Sequence, residues 1–98
     1  INELDKFRHK VDLLDSQLLE LLAERFDIIK GIGEYKKENN LAVYQPDRWH
    51  NVMESRIKAG MQKNLTEKFM KNLLFAIHEE SVKKQEAQLK ETAKVTNA

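Results

Sequence analysis

The sequence predicts an all-α fold with one long N-terminal helix followed by two shorter helices. Three glycines and one proline in 98 residues leave few points at which a helix would break. In the first third of the chain, apolar residues recur at alternating intervals of three and four, which is the spacing of one helix face. Turn and capping residues near positions 39–46 and 60–66 divide the remainder into two further helices.

The first helix is predicted from about residue 3 to about residue 38, because one face forms an unbroken heptad pattern. This face, called the seam below, consists of Leu4, Phe7, Val11, Leu14, Leu18, Leu21, Arg25, Ile28, Ile32 and Tyr35. At ~1.5 Å per residue the helix would be roughly 50 Å long, and the short remainder of the chain cannot cover it. We therefore expect the seam to pair with a second copy or another domain, and thermal stability to depend on concentration.

Glycines and a proline mark the next features of the chain. Gly31 and Gly33 lie inside the first helix, where glycine costs about 1 kcal/mol relative to alanine, so another element is expected to approach the backbone there. After a loop through Tyr44, Pro46 suits the first turn of the second helix. Gly60 is the expected stop of that helix. Its inner face is predicted to contain Trp49, Val52, Met53 and either Ile57 or Arg56.

The third helix is predicted to start at an N-cap, Thr66, with a hydrophobic staple between Leu65 and Met70. Its buried positions are expected to be Phe69 or Met70, then Leu73, Leu74 and Ile77. The chain is thus expected to be one domain over residues 1–90, with a frayed C-terminal tail over residues 91–98.

Composition excludes several classes of function. Seventeen Lys and Arg against sixteen Asp and Glu are too balanced for a protein that mainly grips a nucleic-acid backbone. Without cysteine there is no disulfide, thiolate metal site or Cys nucleophile. His9, His50 and His78 lack metal-ligand spacing and are expected at the surface or an interface, so no metal or cofactor is predicted. No apolar run is long enough for a transmembrane span, and a cytoplasmic domain without a membrane partner is expected.

Polar residues inside the apolar faces are the candidates for a binding site. Arg25 occupies a seam position, where an unpaired guanidinium is costly, so it is expected to need an anionic partner. Lys36 follows eleven residues later on the same face, about 16 Å away. On the third helix Ile77, Ser81 and Gln85 follow at intervals of four, so that this face changes from apolar to hydrogen-bonding.

Arg8 and Arg48 add two cations to this group. Arg8 lies about 25 Å from Arg25 along one helix, so no small ligand can touch both in a single chain. In an antiparallel dimer whose two-fold axis passes near residues 18–20, the partner's Arg8 would fall opposite residues 28–32. Each dimer would then hold two cationic sites suited to a compact dicarboxylate, because guanidinium groups bind carboxylates bidentately.

In order and spacing, these residues resemble the all-helical (AroQ-class) chorismate mutases. The resemblance covers about residues 3–88 without a gap. It rests on Arg8, the segment from Leu18 to Lys36, Gln45-Pro46-Asp47-Arg48 and the segment from Glu80 to Gln85. The segments QPDRW (residues 45–49) and AIHEESVKKQ (residues 76–85) look closest to the mutase domain fused behind a 3-deoxy-arabino-heptulosonate 7-phosphate (DAHP) synthase. A start at Ile1 without methionine would suit an excised domain.

The resemblance implies an intertwined homodimer of three-helix chains that rearranges chorismate to prephenate, a step in the synthesis of Phe and Tyr. This pericyclic reaction needs a dianion held in its reactive conformation and donors at the breaking C–O bond, but no acid, base or nucleophile. By this resemblance, Arg25 and the partner's Arg8 would bind the two carboxylates. Lys36 and Gln85 would donate to the ether oxygen, and Arg48 and Ser81 would support a carboxylate.

Two positions depart from the family pattern. The family usually carries an acidic residue, which binds the ring hydroxyl, where Trp49 stands, and often Asp where Gln45 stands. The hydroxyl is then left to Gln45, a backbone group or nothing, so the isolated domain is expected to be a weak mutase.

Three alternatives stay open at this point. One is isochorismate-pyruvate lyase activity on the same scaffold. Another is a dimerisation and regulatory module that holds a fused synthase and reports prephenate to it. The third is a coiled-coil scaffold without a site, against which the position of Arg25 on the seam argues.

Overall fold

A computed structural model describes residues 2–97 of the chain, with side chains described for residues 2–89. It contains α1 (Glu3–Glu38), α2 (Pro46–Gln62) and α3 (Glu67–Asn97). Across the described residues there is no strand, so the all-α prediction is confirmed. None of the helices, as far as they are described, combines the length and apolar character needed to cross a membrane. The tail predicted to fray, residues 91–98, lies outside the described side chains.

Helix α1 begins and ends where the sequence predicts. The side-chain oxygen of Asn2 accepts a hydrogen bond from the Asp5 amide at 2.8 Å and caps the first turn. At the other end Asn40 takes the left-handed conformation (φ 56°), and the Leu41 amide donates to the Lys36 carbonyl at 2.7 Å. This is a Schellman motif in which asparagine fills the position that glycine usually holds.

The predicted stop of α2 at Gly60 is wrong. The helix continues to Gln62, and Asn64 takes the left-handed position (φ 65°) after it. Gly60 is instead a packing residue, because a Cβ placed on it would stand 2.5 Å from the Met70 sulfur. The missing side chain therefore lets α3 approach α2 closely, which a stop signal would not require.

Helix α3 begins after the predicted N-cap, Thr66, whose hydroxyl accepts a hydrogen bond from the Phe69 amide at 3.2 Å. Of the two candidates for the first buried position, Met70 is buried and Phe69 is 49% exposed. The expectation that Leu73 is buried is wrong, since this side chain is exposed while Leu74 beside it is buried.

The inner face of α2 agrees with the prediction, with Ile57 rather than Arg56 as its last member. Val52 is buried, Met53 and Ile57 are half-buried, and Arg56 is exposed. The apolar core among the described residues therefore comes from α2 and α3, with α1 packed against α3 along its C-terminal half.

The contact between α1 and α3 is closest at Gly33. A Cβ on Gly33 would stand 3.0 Å from the Cα of Gln85 and 3.1 Å from its Cγ. A Cβ on Gly31 would meet nothing within 4 Å. The expected close approach is confirmed at Gly33, and at Gly31 it stays a prediction for an element outside the described residues.

The N-terminal part of α1 is exposed throughout residues 2–21. Seam residues are open to solvent, with Leu14 62% exposed, Leu21 63% and Ile28 67%. The radius of gyration is 17.7 Å, against about 13 Å for a compact domain of 100 residues. The accessible surface is 8094 Å², against about 5800 Å² for a folded monomer of this mass. Among the described residues, the longest apolar face of the chain therefore has no covering element.

The two glycines of α1 give a matched test of the packing. Gly33→Ala should destabilise the domain by about 1–3 kcal/mol, because the new methyl group meets the backbone of α3. Gly31→Ala should be stabilising by up to about 1 kcal/mol, since it removes only the helix penalty of glycine. Urea unfolding at one fixed protein concentration measures both, and equal effects would contradict the packing described.

Candidate functional site

The three helices enclose a cavity of about 380 Å³ between the C-terminal half of α1, the first turns of α2 and the middle of α3. The cavity-lining residues of α1 recur at intervals of three and four, so they share one face of that helix, and those of α3 do the same. The lining side chains are Arg25, Ile29, Ile32, Lys36, Val43, Gln45, Arg48, Trp49, Val52, Leu74, Ile77, His78, Ser81, Val82 and Gln85. The volume suits a small organic ligand.

Lys36 is the polar centre of this cavity. Its Nζ donates to the Gln85 Oε1 at 2.8 Å and to the Val43 carbonyl at 2.7 Å. Burial lowers the pKa of the Lys36 ammonium below its usual range. One cation of α1 is thus fixed against α3 and against the loop that precedes α2.

Two buried polar residues of α3 complete the hydrogen bonding. Gln85 is 5% exposed and Ser81 is 7% exposed. The amide oxygen of Gln85 accepts from Lys36, and among the described residues its NH₂ group has no acceptor, so it can donate to a ligand. The Ser81 hydroxyl donates to the Ile77 carbonyl at 2.7 Å and accepts from Arg25 Nη1 at 3.4 Å. Ser81 therefore helps to orient the guanidinium.

The described residues do not supply the expected anionic partner of Arg25. No ion pair of the described residues involves Arg25, Lys36 or Arg48, and none of the residues that line the cavity is Asp or Glu. Burial lowers the pKa of Arg25, and the nearby positive charges of Arg56 and Arg48 lower it further. The guanidinium stays charged, so the cavity has an uncompensated positive charge that an anion would neutralise.

An aromatic group forms one wall of the cavity. The Trp49 ring stacks on the His78 ring with centroids 3.9 Å apart and an angle of 23°. Tyr44 meets His78 edge-on at 5.8 Å, and Phe75 lies 5.8 Å from Trp49. The prediction that Trp49 lies on the inner face of α2 agrees with this arrangement. The surface position predicted for His78 is wrong, because this ring is half-buried and faces the cavity, while the interfacial alternative stays a prediction.

Most of the predicted site residues meet here. Those that line the cavity are Arg25, Lys36, Gln45, Arg48, Ser81 and Gln85. Arg8 does not, because it lies seventeen residues before Arg25 on α1, about 25 Å away. Gln45 and Arg48 are exposed at the rim, where the Gln45 Nε2 donates to the Ala42 carbonyl at 3.3 Å.

His78 and the Val43 carbonyl are the polar groups of the cavity that the sequence did not predict. His78 precedes Ser81 by three residues and Gln85 by seven, so it lies on the same face of α3, and this spacing could have identified it. Nothing in the spacing of Val43 identifies it, since it acts through its backbone. In the described part of the chain, no cluster of three or more His, Cys, Asp or Glu could hold a metal ion.

Chemically, the cavity can bind a compact anion and present donors to it in fixed positions. Arg25 and Arg48 supply guanidinium groups, and Lys36 and Gln85 supply N–H donors side by side. Apolar side chains of the three helices form the rest of the lining, which leaves the charged groups partly desolvated. The fold and the site thus define a small all-helical domain with a binding cavity for an anionic organic ligand.

A family model described as chorismate mutase type II matches residues 7–86. This is most of the chain, so the chain belongs to the chorismate mutase type II family, a family of isomerases. The predicted class of enzyme is therefore confirmed.

The relatives are longer proteins. A bifunctional chorismate mutase/prephenate dehydratase from Buchnera aphidicola (Acyrthosiphon pisum) is 34% identical over 89 residues, which are 91% of this chain and 23% of that protein. A T-protein from Enterobacter agglomerans is 30% identical over 81 residues, or 83% of this chain and 22% of that protein. The bifunctional chorismate mutase/prephenate dehydratase of Escherichia coli K12 is 33% identical over 92% of this chain and 23% of its own length. The chain thus spans about a quarter of the length of these relatives.

Proposed function

We propose that this domain converts chorismate to prephenate in the cavity between its three helices. The observation that carries the proposal is the pairing of Lys36 Nζ with Gln85 Oε1 at 2.8 Å beside two guanidinium groups, with no carboxylate among the lining residues. Chorismate carries two carboxylates and an ether oxygen that gains negative charge as its C–O bond breaks. A set of cations and N–H donors is complementary to that charge distribution.

The proposed roles follow the position of each group. Arg25, oriented by Ser81, and Arg48 at the rim bind carboxylates. Lys36 and the free NH₂ of Gln85 donate to the ether oxygen. Since the reaction needs no proton transfer, catalysis consists of holding the reactive conformation and stabilising the developing charge.

We further propose that the active form is an antiparallel homodimer in which the partner's Arg8 completes each cavity. The exposed seam and the excess accessible surface support it, because both would be covered by a second α1. An exposed apolar face of this length is typical of an interface rather than of a monomer surface. Arg8 lies on the exposed half of α1, where a two-fold axis can carry it to the other chain.

In the natural protein, we propose a covalent fusion to a second enzyme of the same biosynthetic route. The relatives named above include fusions with prephenate dehydratase. The sequence of residues 45–49 and 76–85 favours a DAHP synthase as the fusion partner instead. In the latter case the domain would also report prephenate to the synthase as feedback. Purified full-length protein assayed for both synthase and dehydratase activity distinguishes the partners, and inhibition of the synthase by prephenate tests the feedback.

Arg25→Ala tests the reaction directly. Wild-type protein should consume chorismate and form prephenate, while the variant should lose about 10- to 100-fold in kcat/KM, because a charged hydrogen-bond donor is removed. Lys58→Ala, which removes one exposed positive charge outside the cavity, is the matched control and should behave as wild type. Product identification separates prephenate from the salicylate that a lyase would form from isochorismate, and salicylate alone would contradict the proposal.

Mixed dimers test the contribution of Arg8. Arg8→Ala and Arg25→Ala should each be nearly inactive, but denaturing and refolding them together should recover about a quarter of the wild-type activity per chain. The reason is that half of the dimers are mixed, and one of their two sites then has both arginines intact. No recovery, with mixed dimers shown to form, would mean that each site is completed within one chain.

Gln85→Glu should make activity depend strongly on pH. A glutamate at this position donates to the ether oxygen only when protonated, and Lys36 beside it favours the ionised form. Activity should therefore rise as the pH is lowered from about 8 to about 5. Gln62→Glu, at the exposed end of α2, is the control for general effects of the added charge. A flat profile for Gln85→Glu would argue against this role of Gln85.

A further inference from the structure

His78 is a polar group of the cavity for which the proposed mechanism has no use. Its ring lines the cavity together with Lys36 and Gln85. In the described part of the chain neither ring nitrogen has a hydrogen-bond or ion-pair partner, although the side chain is half-buried. No buried side-chain nitrogen or oxygen of the described residues lacks a partner, so the His78 nitrogens are open to the cavity, where a ligand or water can bond them.

The ring is held in place by two neighbours. Trp49 stacks on one face with a centroid distance of 3.9 Å, and Tyr44 meets it edge-on at 5.8 Å. Stacking of this kind restricts rotation of the imidazole and fixes the direction of its N–H and its lone pair. The nitrogens are therefore directed in a way that an exposed histidine such as His50 does not share.

Charge and hydrogen-bonding capacity identify the group that His78 suits. Burial lowers the pKa of His78 below its ordinary value and so favours the neutral ring, which has one donor and one acceptor. The carboxylates and the ether oxygen of chorismate are matched by Arg25, Arg48, Lys36 and Gln85, which are all donors. The ring hydroxyl of chorismate is the remaining polar group, and an alcohol both donates and accepts.

We propose that His78, held by its stack on Trp49, hydrogen-bonds the ring hydroxyl of chorismate and determines specificity for the hydroxylated substrate. This inference rests on the proposed mutase function. It replaces the expectation that Gln45 or a backbone group serves the hydroxyl, because Gln45 is exposed at the rim and its NH₂ donates to the Ala42 carbonyl. Trp49 is the positioning residue and does not itself bind the hydroxyl.

The test compares chorismate with an analogue that lacks only the ring hydroxyl. Wild-type protein should prefer chorismate by about three- to tenfold in kcat/KM, the range expected for one neutral hydrogen bond. His78→Leu should bring this ratio close to one, mainly by raising KM for chorismate while leaving the analogue unaffected. His78→Gln, which keeps a donor and an acceptor, should restore part of the ratio.

Trp49→Leu should reduce the ratio, and Trp49→Phe, which can still stack, should keep most of it.

The controls separate this inference from the function on which it rests. His50→Leu removes an exposed histidine next to Trp49 and should leave the ratio unchanged. If wild-type protein turns over neither substrate, the mutase function itself fails. If it turns over chorismate but His78→Leu keeps the full ratio, only the role of His78 is overturned, and loss of the ratio in Gln45→Ala would then assign the hydroxyl to Gln45. Thermal unfolding of each variant shows whether it is folded, and its turnover of the analogue shows whether its sites are intact. Together these two measurements distinguish a lost hydrogen bond from a lost fold.

Discussion

The close approach of α1 to α3 at Gly33 is the contact on which the candidate site depends. With no side chain on Gly33, the backbone of Gln85 comes as near as 3.0 Å to the place of the missing Cβ. Lys36, almost one turn further along α1, is then near enough for its Nζ to bond Gln85 Oε1 at 2.8 Å and the Val43 carbonyl at 2.7 Å. One ammonium group thereby joins both helices and the loop into α2. A side chain at position 33 would separate the helices and remove this alignment.

Positive charge is concentrated in the cavity at a cost to the stability of the unliganded domain. Arg25 is partly desolvated and lies near Arg48 and Arg56, and all three effects lower its pKa. A bound dianion would offset the repulsion among these cations, because each cation would then lie near a negative charge. The amide oxygen of Gln85 and the hydroxyl of Ser81 are hydrogen-bonded within the described residues, so they hold the cations in position before a ligand arrives. Donors arranged beforehand in this way need little reorganisation during the reaction.

What the sequence predicts well is local, and what it misses depends on neighbours. The bounds of α1 and the cap at Thr66 follow from periodicity and short-range hydrogen bonds, and the structure agrees with them. The stop predicted at Gly60 is wrong because this glycine accommodates Met70 of another helix, a contact that no residue near it in sequence reveals. For Arg25, the spacing identifies its face but not its neighbour within the chain, which is the Ser81 hydroxyl of α3. His78 shares a face with Ser81 and Gln85, yet its importance depends on the ring of Trp49 packing against it.

The exposed half of α1 links the stability of the domain to the completeness of its site. All residues from 2 to 21 are exposed, so within the described chain this half is stabilised only by its own helical hydrogen bonds. An isolated helix of about that length is marginal in water, and its apolar seam residues gain stability only when another surface covers them. Arg8 lies on this same half. In the proposed dimer, the surface that covers the seam therefore also brings the missing cation to the cavity, since both are consequences of one antiparallel pairing. Folding of this half and completion of the site would then occur in a single association step.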